Sequence, residues 1–272
     1  YTVVAGTEIV TFPVTVLDVV RSGEGPGSSV IVIRAEGPLM DQTGGIAQGM
    51  SGSPVYVTGA DGVPRVIGAI AYGQGDEKNV IGGITPIEQM LAMTRGKAQL
   101  SVVRRPAERA YIARDQASAR RLRGAHPGAR VFTPLMRWSA SGLSPRLVPA
   151  RRRALGPGVQ VDATSLAATV ISGPVSLGAI GTVTYTDGPV VLGFGHPFLG
   201  NGPSRLMLAD AFVTTVVSAP IKGESYKLGS AGNVQGMLTG DRRDGVMGRV
   251  GPASPVTVTT YARDAGRDTQ SS

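Results

Sequence analysis

Apolar and polar residues alternate in short runs along most of the chain. Thr7–Val20 (TEIVTFPVTVLDVV) is rich in β-branched residues, and Pro13 sets it at an edge or a bend. Arg21–Ser28 has the glycines of a turn. Ser29–Glu36 (SVIVIRAE) has the continuous apolar centre of a buried strand. Three more strands are expected at Ser53–Val57, Arg65–Gly73 and Asn79–Thr85, with Gly59-Ala60-Asp61-Gly62 as the hairpin turn between the first two. Pro86–Thr94 breaks the alternation. Ile87, Met90 and Leu91 fall on one helical face, and Pro86 suits a first turn.

The middle of the chain has a different pattern. Ala107–Leu122 can form a helix whose polar face is almost purely Arg. Gly124–Pro149 is broken by four prolines and carries the lone Trp138. After it, short strands return at Val159–Val161, Ala168–Ile171, Ala179–Tyr185, Pro189–Gly193, Ala211–Ser218, Gly236–Thr239, Gly245–Val250 and Val256–Tyr261. Thr186-Asp187-Gly188 reads as a hairpin turn, and the polar tail from Arg263 as a frayed end. The expected organisation is a β-barrel over 1–95, an Arg-rich connector with one helix over 96–155, a second β-barrel over 156–264 and a flexible tail over 265–272.

Composition supports this picture. The 272 residues hold 39 Gly and 19 Pro, which favours many short strands over long helices. Charge is uneven: the stretch from Arg95 to Arg153 carries net +13 and the remainder net −5, which together make the formal +8. There is no cysteine and there are two histidines, so thiol nucleophiles, disulfides and Cys- or His-rich metal sites are excluded. No apolar run is long enough for a membrane helix, and no signal peptide is seen. The abrupt start at Tyr1, inside a strand-like pattern, suggests a processed or trimmed N-terminus.

One segment carries chemistry. Thr43–Pro54 (TGGIAQGMSGSP) packs glycines and hydroxyl residues just ahead of a strand. A nucleophilic serine needs a tight turn with backbone N–H groups free to hold an oxyanion, and glycines supply the dihedrals for it. The strand–nucleophile elbow of α/β-hydrolases fits poorly, because the fifth motif residue is Ser53 and a strand follows rather than a helix. A serine nucleophile needs a base, and His126 and His196 are the two imidazoles. His196, in Gly193-Phe194-Gly195-His196-Pro197 after an apolar hairpin, is the candidate. By resemblance to chymotrypsin-like serine proteases, whose acid opens an apolar strand some tens of residues after the histidine, the acid would be Asp244, directly before a strand, or Asp241, one turn earlier, with Glu36 and Asp41 in reserve.

Gly49-Met50-Ser51-Gly52-Ser53-Pro54 resembles the nucleophile loop of chymotrypsin-like serine proteases. The hairpin, the strand Val66–Gly73, the strand Ile81–Thr85 and the helix that follow resemble the rest of such a barrel. The resemblance implies an oxyanion hole from the N–H groups of Gly49 and Ser51, and substrate pairing as an added strand along Ala71, Tyr72 and Gly73. It narrows further: TGGIAQGMSGSP, GAIAYG and ITPIEQML, with GFGHP and GNVQGMLTGDRRDGVMGRVG, are similar to the sporulation factor IVB (SpoIVB-type) serine peptidase family. The implied protein is an all-β, two-barrel, chymotrypsin-like serine endopeptidase, exported from a bacterium, acting on protein or peptide with no cofactor. Its serine half precedes its histidine half, so the barrel order looks circularly permuted. That family's acid would fall on Glu36, which keeps the acid open.

The basic stretch lacks the aromatic interleaving of a nucleic-acid groove, holding only Tyr111, Phe132 and Trp138, so no nucleic-acid partner is expected. It could instead lie over the cleft or be cut, as its Arg104-Arg105, Arg120-Arg121 and Arg151–Arg153 runs suggest. Asp76-Glu77 read as exposed turn charges. The rival to an enzyme is a protease-like binding or structural module without activity.

Overall fold

The computed structural model describes residues 1–22, 28–75, 79–95, 109–141, 164–173, 175–218, 225–264 and 267–271. The chain opens with a small pair, β1 (Thr2–Val3) and β2 (Ile9–Val10). Then follow β3 (Val14–Ser22), β4 (Ser29–Ala35), the short helix α1 (Pro38–Thr43), β5 (Pro54–Thr58), β6 (Pro64–Gly73), β7 (Ile81–Pro86) and α2 (Ile87–Ala92). The middle of the chain supplies β8 (Arg109–Ile112), α3 (Gln116–Ala125), β9 (Arg130–Pro134) and β10 (Trp138–Ser141). The second half contains β11 (Ser165–Ile171), β12 (Ser176–Asp187), β13 (Val190–Gly193), β14 (Gly202–Val217), β15 (Tyr226–Arg242), β16 (Gly245–Val250), β17 (Thr260–Asp264) and β18 (Arg267–Ser271).

The strands form two closed rings. In the first, pairing runs β6-β7-β4-β3-β8-β9 and returns from β9 to β6, while β5 pairs with the other half of β6. In the second it runs β12-β11-β14-β15-β16-β13 and returns from β13 to β12, with β10 added against the start of β12. Closure leaves little exposed sheet edge. This is the all-β, two-barrel architecture of chymotrypsin-like proteases. The strands β14 and β15 are long enough to wrap the second ring because β-bulges bend them, with register shifts at Pro203/Leu206, Leu208/Ala209, Ala209/Ala211 and Val213/Thr215.

Each barrel has its own apolar core. Ile33, Met40, Ile46, Met50, Ile70 and Ile84 fill the first, and Leu166, Val183, Phe194, Phe198, Leu208 and Leu238 the second. A third cluster joins them: Ala69, Ile87, Met90 and Met93 pack on Leu192, so α2 is wedged between the barrels. No helix among the described residues is long and apolar enough to cross a membrane.

Several expectations change. The Thr7–Val20 run divides into β2 and β3 around Phe12-Pro13, and α1 was not foreseen. The helix expected at 107–122 begins at Gln116, where Asp115 caps it by accepting from the Ser118 N–H at 2.6 Å. Ahead of it, Arg109–Ile112 is strand, because Ala110 is buried against β3 and β9. The described part of the connector is thus partly barrel wall. The strand expected at Val256–Tyr261 starts only at Thr260, and the tail expected to fray pairs as the β17–β18 hairpin. The strand at Val159–Val161, the Asp76-Glu77 pair and the Arg104-Arg105 and Arg151–Arg153 runs lie outside the described residues.

Candidate active site at the barrel seam

The nucleophile loop is built on glycines in conformations other residues resist. Gly44 ends α1 in the left-handed region at φ 67°, and Gly49 and Gly52 have φ near 90°. Gly52 has a second reason to be glycine. A Cβ there would lie 1.8 Å from the Thr182 carbonyl oxygen and 2.6 Å from the Phe194 nitrogen, both in the other barrel. The loop is stitched across the seam as well: the Thr182 N–H donates to the Ser51 carbonyl at 2.7 Å, and the Thr184 hydroxyl to the Gly52 carbonyl at 2.8 Å. Ser51 is fully buried, and its Oγ has no hydrogen-bond partner.

His196 reaches the same seam from the second barrel. The chain leaves β13 through Phe194 and Gly195, both at positive φ, and Phe194 is one of two non-glycine residues among those described that adopt it. The loop docks on β6. A Cβ on Gly195 would lie 3.0 Å from the Ala71 Cβ, and the Thr85 hydroxyl donates to the Gly195 carbonyl. The His196 ring is tilted against Phe194 and Tyr72, at 5.7 and 6.2 Å between centroids.

The imidazole's tautomer follows from its partner. Nδ1 lies 2.8 Å from the Pro197 carbonyl, which can only accept. Nδ1 therefore carries the hydrogen, and Nε2 offers a lone pair. Nε2 is buried and has no partner. Burial pushes His196 down to about 4, against the opposing pulls of the Pro197 carbonyl and the Asp241 charge. The ring is neutral at pH 7, as a proton acceptor must be. Ser51 Oγ and His196 Nε2 are thus two orphaned polar atoms at one seam, with no hydrogen bond between them.

This shift has a measurable consequence. The unfolded histidine takes up a proton near 6.5 and the folded one only near 4. Stability therefore falls as pH drops through that window, by about 3 kcal/mol in all. Urea unfolding at pH 7 and pH 4.5 should show this loss in the wild type and a clearly smaller one in His196→Asn; parallel losses would refute the assignment.

The two carboxylates left open by the sequence behave differently. Asp241 is fully buried, and its oxygens accept from the N–H groups of Phe198, Leu199 and Gly200 at 2.7–2.8 Å. It holds the segment just after His196 and touches the imidazole only through its field. Asp244 sits at the β15–β16 turn, paired with its neighbour Arg243 at 3.1 Å. Glu36 and Asp41 are both exposed. The other histidine, His126, stacks on Tyr111 at 4.5 Å beyond the end of α3.

The groups expected to receive substrate are occupied by the chain itself. The Gly49 N–H donates to the Leu135 carbonyl at 2.9 Å. Along the expected substrate edge, the Ala71 carbonyl accepts from the Leu135 N–H at 3.0 Å, and Tyr72 and Gly73 pair antiparallel with Pro134 and Thr133.

Two participants were not anticipated from sequence. Lys227 is buried beside the loop, its Nζ donating to the hydroxyls of Thr2 and Thr182 at 3.0 and 3.2 Å. Burial pushes its amine down to about 7. Its stem lies against Gly49, where an added Cβ would meet it at 3.1 Å. Thr182 relays the contact, accepting from the Ser53 hydroxyl and donating to the Gly49 carbonyl. The available signal was the alternation Tyr226-Lys227-Leu228, which turns one of only four lysines inward.

Residues 1–91 match the family model described as SpoIVB peptidase S55. The matched span holds Ser51 and its whole loop and ends within α2; His196 and Asp241 lie beyond it. Neither a curated protein nor a solved structure gives a match. The resemblance read from TGGIAQGMSGSP is thereby borne out over residues 1–91, and with it a peptidase function in general terms.

Proposed function

We propose that this chain, whose first third is of the SpoIVB peptidase type, is a serine endopeptidase with Ser51 as nucleophile and His196 as base. Ser51 Oγ attacks the carbonyl carbon of the substrate's peptide bond while Nε2 of His196 takes its proton. The imidazole returns that proton to the leaving amine as the C–N bond breaks, and water then hydrolyses the acyl-enzyme by the same route. The N–H groups of Gly49 and Ser51 hold the developing oxyanion. The Pro197 carbonyl keeps the imidazole in the working tautomer, and Asp241 acts on it indirectly, as a positioning residue. The chain order, nucleophile barrel before histidine barrel, is a permutation of the chymotrypsin-like order.

One observation carries this reading: an unpartnered serine hydroxyl and an unpartnered imidazole nitrogen, each fully buried, brought to one seam by two barrels. Buried polar atoms without partners are destabilising and rare, and they concentrate at functional sites. The missing Ser51–His196 hydrogen bond favours the second reading, an inactive protease-like module.

Treatment with a fluorophosphonate, followed by mass mapping of the adduct, separates the two. The enzyme is expected to label at Ser51, with His196→Ala slowing the labelling by about a hundredfold or more. A folded chain that never labels, even once the segment at Leu135 is displaced, would leave the inactive module.

A further inference from the structure

We infer that residues 133–135 lie in the acyl side of the substrate groove as an internal pseudosubstrate, with Met136 beyond it, and that the pocket beneath selects a leucine-sized apolar residue. The inference rests on Ser51 being the nucleophile of a peptidase, as proposed above.

The backbone contacts are those an extended substrate would make. Leu135 donates its N–H to Ala71 and receives the Gly49 N–H on its carbonyl, so its carbonyl lies against the expected oxyanion donor, two residues from Ser51. Two residues earlier, Thr133 pairs with Gly73 and its hydroxyl donates to the Gly73 carbonyl. Between them stands Pro134, whose ring nitrogen has no hydrogen to place.

The side chain of Leu135 fills a pocket. It is 3% exposed and belongs to the core cluster with Ile46, Met50 and Ile70. Gly73 forms part of the wall: a Cβ there would lie 3.1 Å from the Leu135 Cδ2. Its partners in the cluster are apolar, while the cavity that Leu135 also borders carries Asn79, Arg114 and Asp115. A leucine side chain suits the apolar packing with Ile46, Met50 and Ile70, and a charged residue turned into that packing would lose its hydration.

The chain then crosses the cleft as a substrate would. Met136 packs against the core of the second barrel. Trp138–Ser141 pair antiparallel with Ser176–Ala179 of β12, and the Trp138 ring meets Phe198 at 4.8 Å, two residues past His196. One segment thus lies first along the serine barrel and then along the histidine barrel, with the Leu135–Met136 bond between. Its contacts flank both candidate residues, at Gly49 two residues from Ser51 and at Phe198 two residues from His196. The hold on β6 is two register pairs, the Thr133 hydroxyl and the Leu135 contacts, and an incoming peptide would compete with these.

The test uses the full chain and two readouts. Fluorophosphonate labelling of Ser51 is expected to be about tenfold or more faster in Leu135→Asp than in the wild type, because labelling scales with the fraction of open site. Leu135→Ala should fall between them, and it serves alone if circular dichroism shows that the aspartate variant fails to fold. In the second readout, Leu135→Ala should cleave Thr-Pro-Leu-anilide at least about tenfold faster than Thr-Pro-Arg-anilide or Thr-Pro-Asp-anilide. Equal labelling of wild type and variants would overturn the pseudosubstrate, and a preference for a charged residue would overturn the pocket. Absence of Ser51 labelling in every folded form would instead remove the nucleophile assignment itself, and the inference with it.

Discussion

Replacing Ser51 by alanine is expected to lower peptide hydrolysis by about 10⁴-fold or more while leaving the fold intact. The two halves of this result have separate causes. The attacking oxygen is removed, and no neighbouring hydroxyl can replace it: Ser53 Oγ is tied to Thr182, and Thr182 to Lys227. The fold is spared because Ser51 Oγ makes no hydrogen bond, so its loss orphans no partner. Burying an unpaired hydroxyl is unfavourable, so the variant should match the wild type in melting temperature or exceed it slightly. Hydrolysis assays and thermal unfolding on one preparation check both halves. Undiminished hydrolysis by a folded Ser51→Ala would rule out the serine mechanism, and a large loss of stability would mean that the hydroxyl has a structural partner.

The second large effect is expected at Asp241. Its carboxylate accepts from three successive backbone N–H groups, at Phe198, Leu199 and Gly200. Asp241→Ala strands the buried Phe198 donor and releases those of the exposed Leu199 and Gly200, and hydrogen bonds to a charged group are stronger than average. The expected loss of stability is about 3–5 kcal/mol. Activity should fall as well, by about a hundredfold, because the segment that sets the His196 ring loosens and a small misplacement of a catalytic group is costly. Asp244→Ala is the control. Its carboxylate pairs with the adjacent Arg243 at the turn, so its removal should change stability by less than about 1 kcal/mol. Denaturant unfolding and steady-state rates on both variants decide the matter. Equal activity losses at the two positions would restore Asp244 as a candidate acid.

The candidate nucleophile loop was legible because its signal is local. The glycines of TGGIAQGMSGSP are needed for the turn itself, and Gly49 and Gly52 take positive φ. The strand pattern around it was legible for the same reason: the inward face of a strand is written in every second residue. His196 was reached by composition, since a chain with two histidines leaves little choice, and by its place after an apolar hairpin. The acid was not legible. Asp241 and Asp244 are three residues apart with nearly the same local context. Which of them is buried depends on where β15 meets the 198–200 segment, more than forty residues away. The middle stretch misled because its helical arginine pattern is real but local. Whether Arg109–Ile112 and Arg130–Pro134 are strands is decided by free edges on β3 and β6, which no window of that stretch contains.

By itself, then, the sequence determined the all-β class and singled out a candidate serine loop and histidine, because period-two alternation, glycine spacing and residue scarcity are properties of short windows or of simple counts. Only the tertiary structure decided that a proline carbonyl orients the imidazole, that Asp241 holds the loop beside it, that Lys227 is buried behind Gly49, and that Leu135 bonds to Gly49 and Ala71. Each of these is a contact between residues far apart in the chain. Its energy comes from desolvation and hydrogen-bond geometry that exist only once both barrels have closed.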